Sequence, residues 1–145
     1  MEREKGKRER EKGGPPGAVG ELPRSFRPAH YDLEAWKAAM RLVGAVYRLS
    51  ADFPVSEQFG LIAQIRRAAI GAPSNIAEGA ARGSNGEMAR YCVLARASLM
   101  EVDTQLWLAQ DLGFCADTSA LRAQIHDCVA LLNGLIRHRR ARAAQ

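Results

Sequence analysis

The chain has no apolar run near the roughly 18 residues that a membrane span needs, so no segment reads as transmembrane. Its N-terminus is charged and shows no apolar h-region, so secretion is not indicated. It holds only three cysteines, Cys92, Cys115 and Cys128, odd in number and without CxxC spacing. That argues against a disulfide framework and fits a reducing, cytoplasmic setting. Glu-x-x-His pairs, which di-iron bundles need, are missing at His30, His126 and His138. His126 and Cys128 are two apart and point to different helical faces, so no metal or other cofactor is expected. No GxxxxGK[ST] loop is present, and the glycines at 79, 83 and 86 follow a helical pattern, not a strand. Cys92 and Cys128 lie in apolar helical segments, and Cys115 in a loop has no evident base beside it. The chain is therefore read as a non-enzyme.

The net charge of +5 has to be partitioned before it means anything. Residues 1–27 carry eight Lys/Arg and five Glu. Residues 137–145 carry four Arg and no acid, while 28–136 carries nine Lys/Arg against eleven Asp/Glu. The basic character lives in the tails and the body is mildly acidic. A nucleic-acid role must then work through tails or local clusters.

Residues 1–27 are charged, then Gly/Pro-rich, with almost no large apolar residue; they read as a disordered tail. A bundle is expected over 28–140, with 141–145 as a second tail. The first helix is expected from an Asp32 N-cap to Ser50. Its two apolar stripes (Leu33, Trp36, Met40, Val43, Tyr47 beside Ala39, Leu42, Val46, Leu49) cover more of its circumference than one core needs. Ser56 reads as the cap of a second helix, with Phe59, Leu61, Ile65, Ala68, Ala72 and Ile76 on its buried side. Ser84-Asn85-Gly86-Glu87 reads as a capping box that opens a third helix, closed by Gly113. Its core stripe is Met88, Tyr91, Ala95, Leu99, Val102 and Leu106. A fourth helix from Thr118 or Ser119 buries Leu121, Ile125, Cys128, Leu132 and Leu135. No strand pattern competes. The fold class is all-α: an antiparallel, up-and-down four-helix bundle.

The densest local information lies in Gln64 to Ser84, QIRRAAIGAPSNIAEGAARGS. Pro73 lacks an amide hydrogen, and its ring crowds the carbonyl of Ala69. Two readings follow: a kinked but continuous second helix, or an end to one helix and the start of another. The apolar period stays in phase from Leu61 to Ile76, which favours the kinked helix. Gly71 and Ala72 keep one wall thin, and Gly79 brackets the exit. Gln64, Arg67, Asn75 and Glu78 share one flank. That flank is either a polar site or an inter-helix network in which Glu78 pairs with an arginine such as Arg96.

Val93, Met100 and Trp107 recur every seven residues on a face away from the core. They are candidates for an oligomer interface, with burial under the N-terminal arm as the alternative. Candidate nucleic-acid contacts are Arg66, Arg67, Arg82 and Arg90, and the C-terminal Arg137, Arg139, Arg140 and Arg142. The ordinary alternative for the last four is that cations suit a helix C-terminus.

The central segment resembles the QLRRA…S-IP-NIAEG…R segment of a family of four-helix-bundle proteins encoded in intervening sequences of bacterial 23S rRNA genes. Tyr31-Asp32-Leu33-Glu34-Ala35-Trp36 is similar to that family's DLEVW opening. Phe53-Pro54 with Glu57 and Phe59-Gly60-Leu61, Ala95–Leu99 with Glu101, and Leu132-Asn133-Gly134-Leu135-Ile136 are similar to its later motifs, in order, over about residues 30–137. Gly71 stands where the family usually has serine and Ala97 where it usually has glycine; both are small, and a serine hydroxyl is lost at the first. The resemblance implies a ring-like homopentamer. It also implies, through a distant relative, the accessory variability determinant of diversity-generating retroelements, possible contact with a reverse transcriptase and with RNA or DNA. The functional expectation is an oligomeric scaffold that binds nucleic acid through basic surface and tail residues, or else a protein-interaction module.

Overall fold

A computed structural model describes residues 27–145. The disordered tail expected over 1–27 lies outside the described residues except for Arg27. Four helices account for most of the rest: α1 (Glu34–Ser50), α2 (Leu61–Ala81), α3 (Asn85–Asp111) and α4 (Ser119–Ala143). Each packs on its neighbour in sequence and α4 closes on α1, while the backbones of the diagonal pairs stay further apart. Short links make neighbours antiparallel, so the described residues form an all-α, up-and-down bundle.

The core is the set of inward stripes. Ala39, Leu42 and Val46 of α1 meet Ile65, Ala72 and Ile76 of α2, Met88, Leu99 and Leu106 of α3, and Ile125, Leu132 and Ile136 of α4. Most of these side chains are fully buried. Ile136 takes the place expected for Leu135, which packs only partly against the core.

Two helix starts differ from expectation. α1 begins at Glu34 with Leu33 as its N-cap; Asp32 instead ends a 3-10 turn over Ala29–Asp32. The Asp32 carboxylate is held by Arg27, whose Nη2 donates to Oδ1 at 2.9 Å, so it has a nearer cation than the helix amides. α2 begins at Leu61, not after Ser56, which lies in a 3-10 turn over Val55–Glu57. The Leu61 amide donates to Glu57 Oε2 at 2.9 Å, a cap reached from four residues upstream. Because Phe59 precedes the helix, it never joins the stripe. It is 89% exposed, against the expectation of burial.

α2 runs unbroken through Pro73, as its apolar phase indicated. Asn75 Nδ2 donates to the Gly71 carbonyl at 2.8 Å, one turn back. α3 starts on Ser84, whose Oγ accepts from the Glu87 amide at 3.1 Å. The Glu87 side chain binds Arg90 (3.3 Å) instead of reaching back. α3 ends in a Schellman motif: the Phe114 amide donates to the Ala109 carbonyl at 2.9 Å and the Gly113 amide to that of Gln110 at 3.0 Å. Gly113 sits at φ +76°, which only glycine adopts cheaply. Phe114 then packs on buried Phe53 and shuts that end of the bundle. α4 continues to Ala143, so the segment 141–145 set aside as a tail is helical over most of its length.

Candidate nucleic-acid interface and outer face

The α2–α3 turn is short because Gly83 takes φ +77°. The close approach of the two helices is set one turn earlier. A Cβ placed on Gly79 would lie 2.6 Å from Tyr91 Cβ and 3.4 Å from Met88 Cα. Tyr91 is thereby pinned against α2, and a charged group gathers round it. Tyr91 Oη donates to Glu78 Oε1 (3.2 Å), which also accepts from Arg82 Nη2 (2.9 Å). The guanidiniums of Arg82 and Arg90 lie 4.9 and 4.8 Å from the Tyr91 ring centroid. Arg82 and then Tyr91 hold the Glu78 carboxyl below its ordinary range.

Glu78 thus pairs with an arginine, as expected, but with Arg82 and not with Arg96, the example offered. Arg96 instead reaches α4, where Nη1 donates to Asn133 Oδ1 at 2.8 Å. The flank of Gln64, Arg67, Asn75 and Glu78 is no single site either. Asn75 bonds its own helix, Glu78 serves the turn, and Gln64 and Arg67 face solvent.

The eight candidate arginines fall into two groups. α4 ends beside the α2–α3 turn, and Arg139 Nη1 donates to Asn85 Oδ1 at 3.2 Å. That bond joins residues 54 apart in sequence. Arg82, Arg90, Arg137, Arg139, Arg140 and Arg142 therefore share one end of the bundle. Arg82 and Arg90 are already bound to carboxylates. Arg137, Arg140 and Arg142 are exposed and hold no ion pair among the described residues. Arg139 is half-buried, and its Nε has no hydrogen-bond partner among the described residues. A cavity of about 140 Å³ between Gly83, Ser84, Met88 and Arg139 lies beside it.

Arg66 and Arg67 are elsewhere, fifteen residues or about 22 Å of helix from the turn. Arg66 is committed to the fold: Nε donates to Ser50 Oγ at 2.8 Å, Nη2 to the Tyr47 carbonyl at 3.3 Å, and its guanidinium lies over the Tyr47 ring.

The oligomer candidates are not alike. Val93 is partly buried against the core, while Met100 and Trp107 are 42% and 45% exposed. Trp107 carries Arg122 of α4 on its face, 3.7 Å from centroid to guanidinium carbon. Leu94, Leu108 and Leu112 widen the outer face of α3, and the seven-residue spacing did not mark them. Asn85 was missed as well: it lies at the basic end, and it does not stand in a charge run that would have flagged it.

Cys92 and Cys128 are fully buried, and burial pushes both thiols up to about 11. Neither is a nucleophile near neutral pH. No helix among the described residues is long and apolar enough to cross a membrane.

No curated protein is significantly similar to the chain. A family model, described as 23S rRNA-intervening sequence protein, matches residues 31–134. That match spans the whole of α1 to α3 and α4 as far as Gly134. The Gly79–Tyr91 seam and the Arg96–Asn133 bond lie inside it, whereas the C-terminal arginines lie beyond it. With most of its length matched, the chain belongs to the 23S rRNA-intervening sequence protein family.

Proposed function

We propose that the protein is a non-enzymatic, oligomeric scaffold that contacts the phosphates of RNA or DNA through the basic end of its bundle. The observation that supports this reading most is the Arg139–Asn85 bond, which sets the α4 arginines beside the α2–α3 turn. Arg137, Arg140 and Arg142 are the uncommitted cations there. Arg139 is the anchor, and Arg82 and Arg90 are largely neutralised by their own carboxylates. One such patch is small. Repeated around an oligomer, with the ring-like homopentamer as the assembly that family resemblance suggests, it gains avidity with no change in the patch itself.

The test is fluorescence anisotropy with a labelled single-stranded RNA and a labelled DNA duplex over a salt series. Binding should weaken steeply with salt. Replacing Arg137, Arg140 and Arg142 by Gln should lower the slope of log K against log salt by about one for each phosphate that is no longer neutralised. Absent or salt-insensitive binding would refute the reading.

A further inference from the structure

The seam where α4 closes on α1 is open on its outer side. At the end where α1 begins, an apolar groove of about 280 Å³ runs between Leu33 and Ala35 on one side and Leu131, Gly134 and Leu135 of α4 on the other. Leu131 is 42% exposed, and Leu135 is only partly buried. Gly134 makes a notch in the groove: a Cβ placed on it would meet nothing within 4 Å. Further along the same seam, Arg41 of α1 and Asp127 of α4 line a second hollow. Gly134 and Asp127 are seven residues apart, about 10 Å of helix. Both Arg41 and Asp127 are exposed, and neither holds an ion pair among the described residues. The seam is therefore a furrow, apolar at one end and charged with both signs at the other.

The sequence before Arg27 matches it in character. Apart from Met1, its large apolar side chains are Val19, Leu22 and Phe26, gathered in its last eight residues with Glu21 and Arg24 among them. They stop where the groove starts. Arg27 Nη2 donates to Asp32 Oδ1 at 2.9 Å, and Asp32 adjoins Leu33 at the groove's mouth. Phe26 is one residue from that anchor.

We propose that residues 19–26 dock in the furrow between α1 and α4 of their own chain, with Phe26 in the notch at Gly134. Three observations carry it. First, the tether is short, so the segment meets the groove at a high effective concentration and a weak contact suffices. Second, the lengths agree. The five steps from Phe26 to Glu21 span about 16 Å when extended, enough to run from the notch past the level of Asp127. Pro23, which donates no backbone hydrogen bond, suits such an extended stretch. Third, the charges agree. Along that run Arg24 comes level with Asp127, and Glu21 comes within reach of Arg41, so acid meets base twice. Residues 1–18 have no large apolar side chain besides Met1 to offer the groove. They then leave the bundle from its α1–α4 side, pointing away from the basic end.

The experiment is limited digestion of the full-length chain by trypsin, with the rate of each cut read by mass spectrometry. The bond after Arg24 lies inside the docked segment and the bond after Lys12 lies outside it. Cleavage of a docked segment tracks the population of its open form, so the cut after Arg24 should be about tenfold slower than in a free peptide of residues 13–28. Gly134→Phe fills the notch, and Phe26→Ser removes its occupant. Each should raise the Arg24 rate to that of the peptide and leave the Lys12 rate unchanged, with circular dichroism confirming intact helices. Glu21→Arg should raise the Arg24 rate in part, and adding Arg41→Glu should restore protection. An Arg24 cut as fast in the wild type as in the peptide overturns the proposal. So does protection that survives both Phe26→Ser and Gly134→Phe. Protection that grows with protein concentration places the segment on a second copy and overturns docking within one chain.

Discussion

The two faces of α3 are built from opposite materials. Toward α2 the seam closes on Gly79 and Gly71, with Tyr91 and Ser98 pressed against bare backbone. Outward, Met100, Trp107 and Leu108 stand in solvent. The inner face has its partner in the same chain and is fitted to it at the scale of a single methyl. The outer face has large apolar area, and apart from Arg122 of α4 stacked on Trp107 it has no fitted partner among the described residues. Substitutions on the first should therefore change stability, and substitutions on the second should change association.

Gly79→Ala is the sharpest way to break that contrast. Its Cβ would lie 2.6 Å from Tyr91 Cβ and 3.4 Å from Met88 Cα. Neither atom can rotate away, so the helices must part. Overpacking of this kind costs about 1–3 kcal/mol, partly opposed by the gain of about 1 kcal/mol from replacing a helical glycine. With the facing atoms this rigid, the cost should sit toward the upper end of that range, leaving a net loss of about 1–2 kcal/mol. The urea midpoint at fixed protein concentration reads it. An unchanged midpoint would mean that the seam is looser than its geometry.

Gly71→Ala should go the other way. The nearest atom to its added Cβ is the Ser98 hydroxyl at 2.9 Å, with Ser98 Cβ at an ordinary 3.5 Å. A hydroxyl can turn to another rotamer, so the gain in helix propensity survives. A stabilisation of about 0.5–1 kcal/mol is expected. Two identical substitutions, eight residues apart on one helix, should thus have opposite signs. If both destabilise, close approach runs the whole length of the seam.

How legible this was from sequence follows from what each feature depends on. The phase of Leu61 to Ile76 carried the helix through Pro73, because apolar periodicity is a local property. Ser84 and Gly113 also announced their caps locally. Phe59 and Asp32 misled because a cap depends on which polar group reaches the amides first. At α2 that group is Glu57, and at the Asp32 position Arg27 draws the carboxylate away. Glu78 found an arginine, but not the Arg96 offered as the example, for a related reason. Arg82, one turn on, was available at less entropic cost than Arg96, which had Asn133 across the α3–α4 seam. The basic end was half legible: its arginines were named, but their convergence depends on α4 ending beside Asn85, a long-range fact.

The smallest expected effect sits at the rim of the same seam and separates packing from electrostatics. Glu78 is exposed, and its carboxyl is held below the ordinary range by Arg82 and then by Tyr91. A depressed folded pKa means that the unfolded state binds its proton first as the pH falls. The contribution is therefore present above the unfolded value, near the ordinary carboxylate range, and is lost as pH drops through the lower folded value. Because the pair is solvent-exposed, salt should screen it further. Glu78→Gln should then be slightly less stable than the wild type at pH 7 in low salt. The gap should close below the carboxylate range, and also in high salt at neutral pH. Gly79→Ala should show neither dependence, because a steric clash carries no charge. A Glu78→Gln deficit that persists at low pH and high salt would mean that Glu78 acts by positioning Tyr91 in the seam, not through its charge.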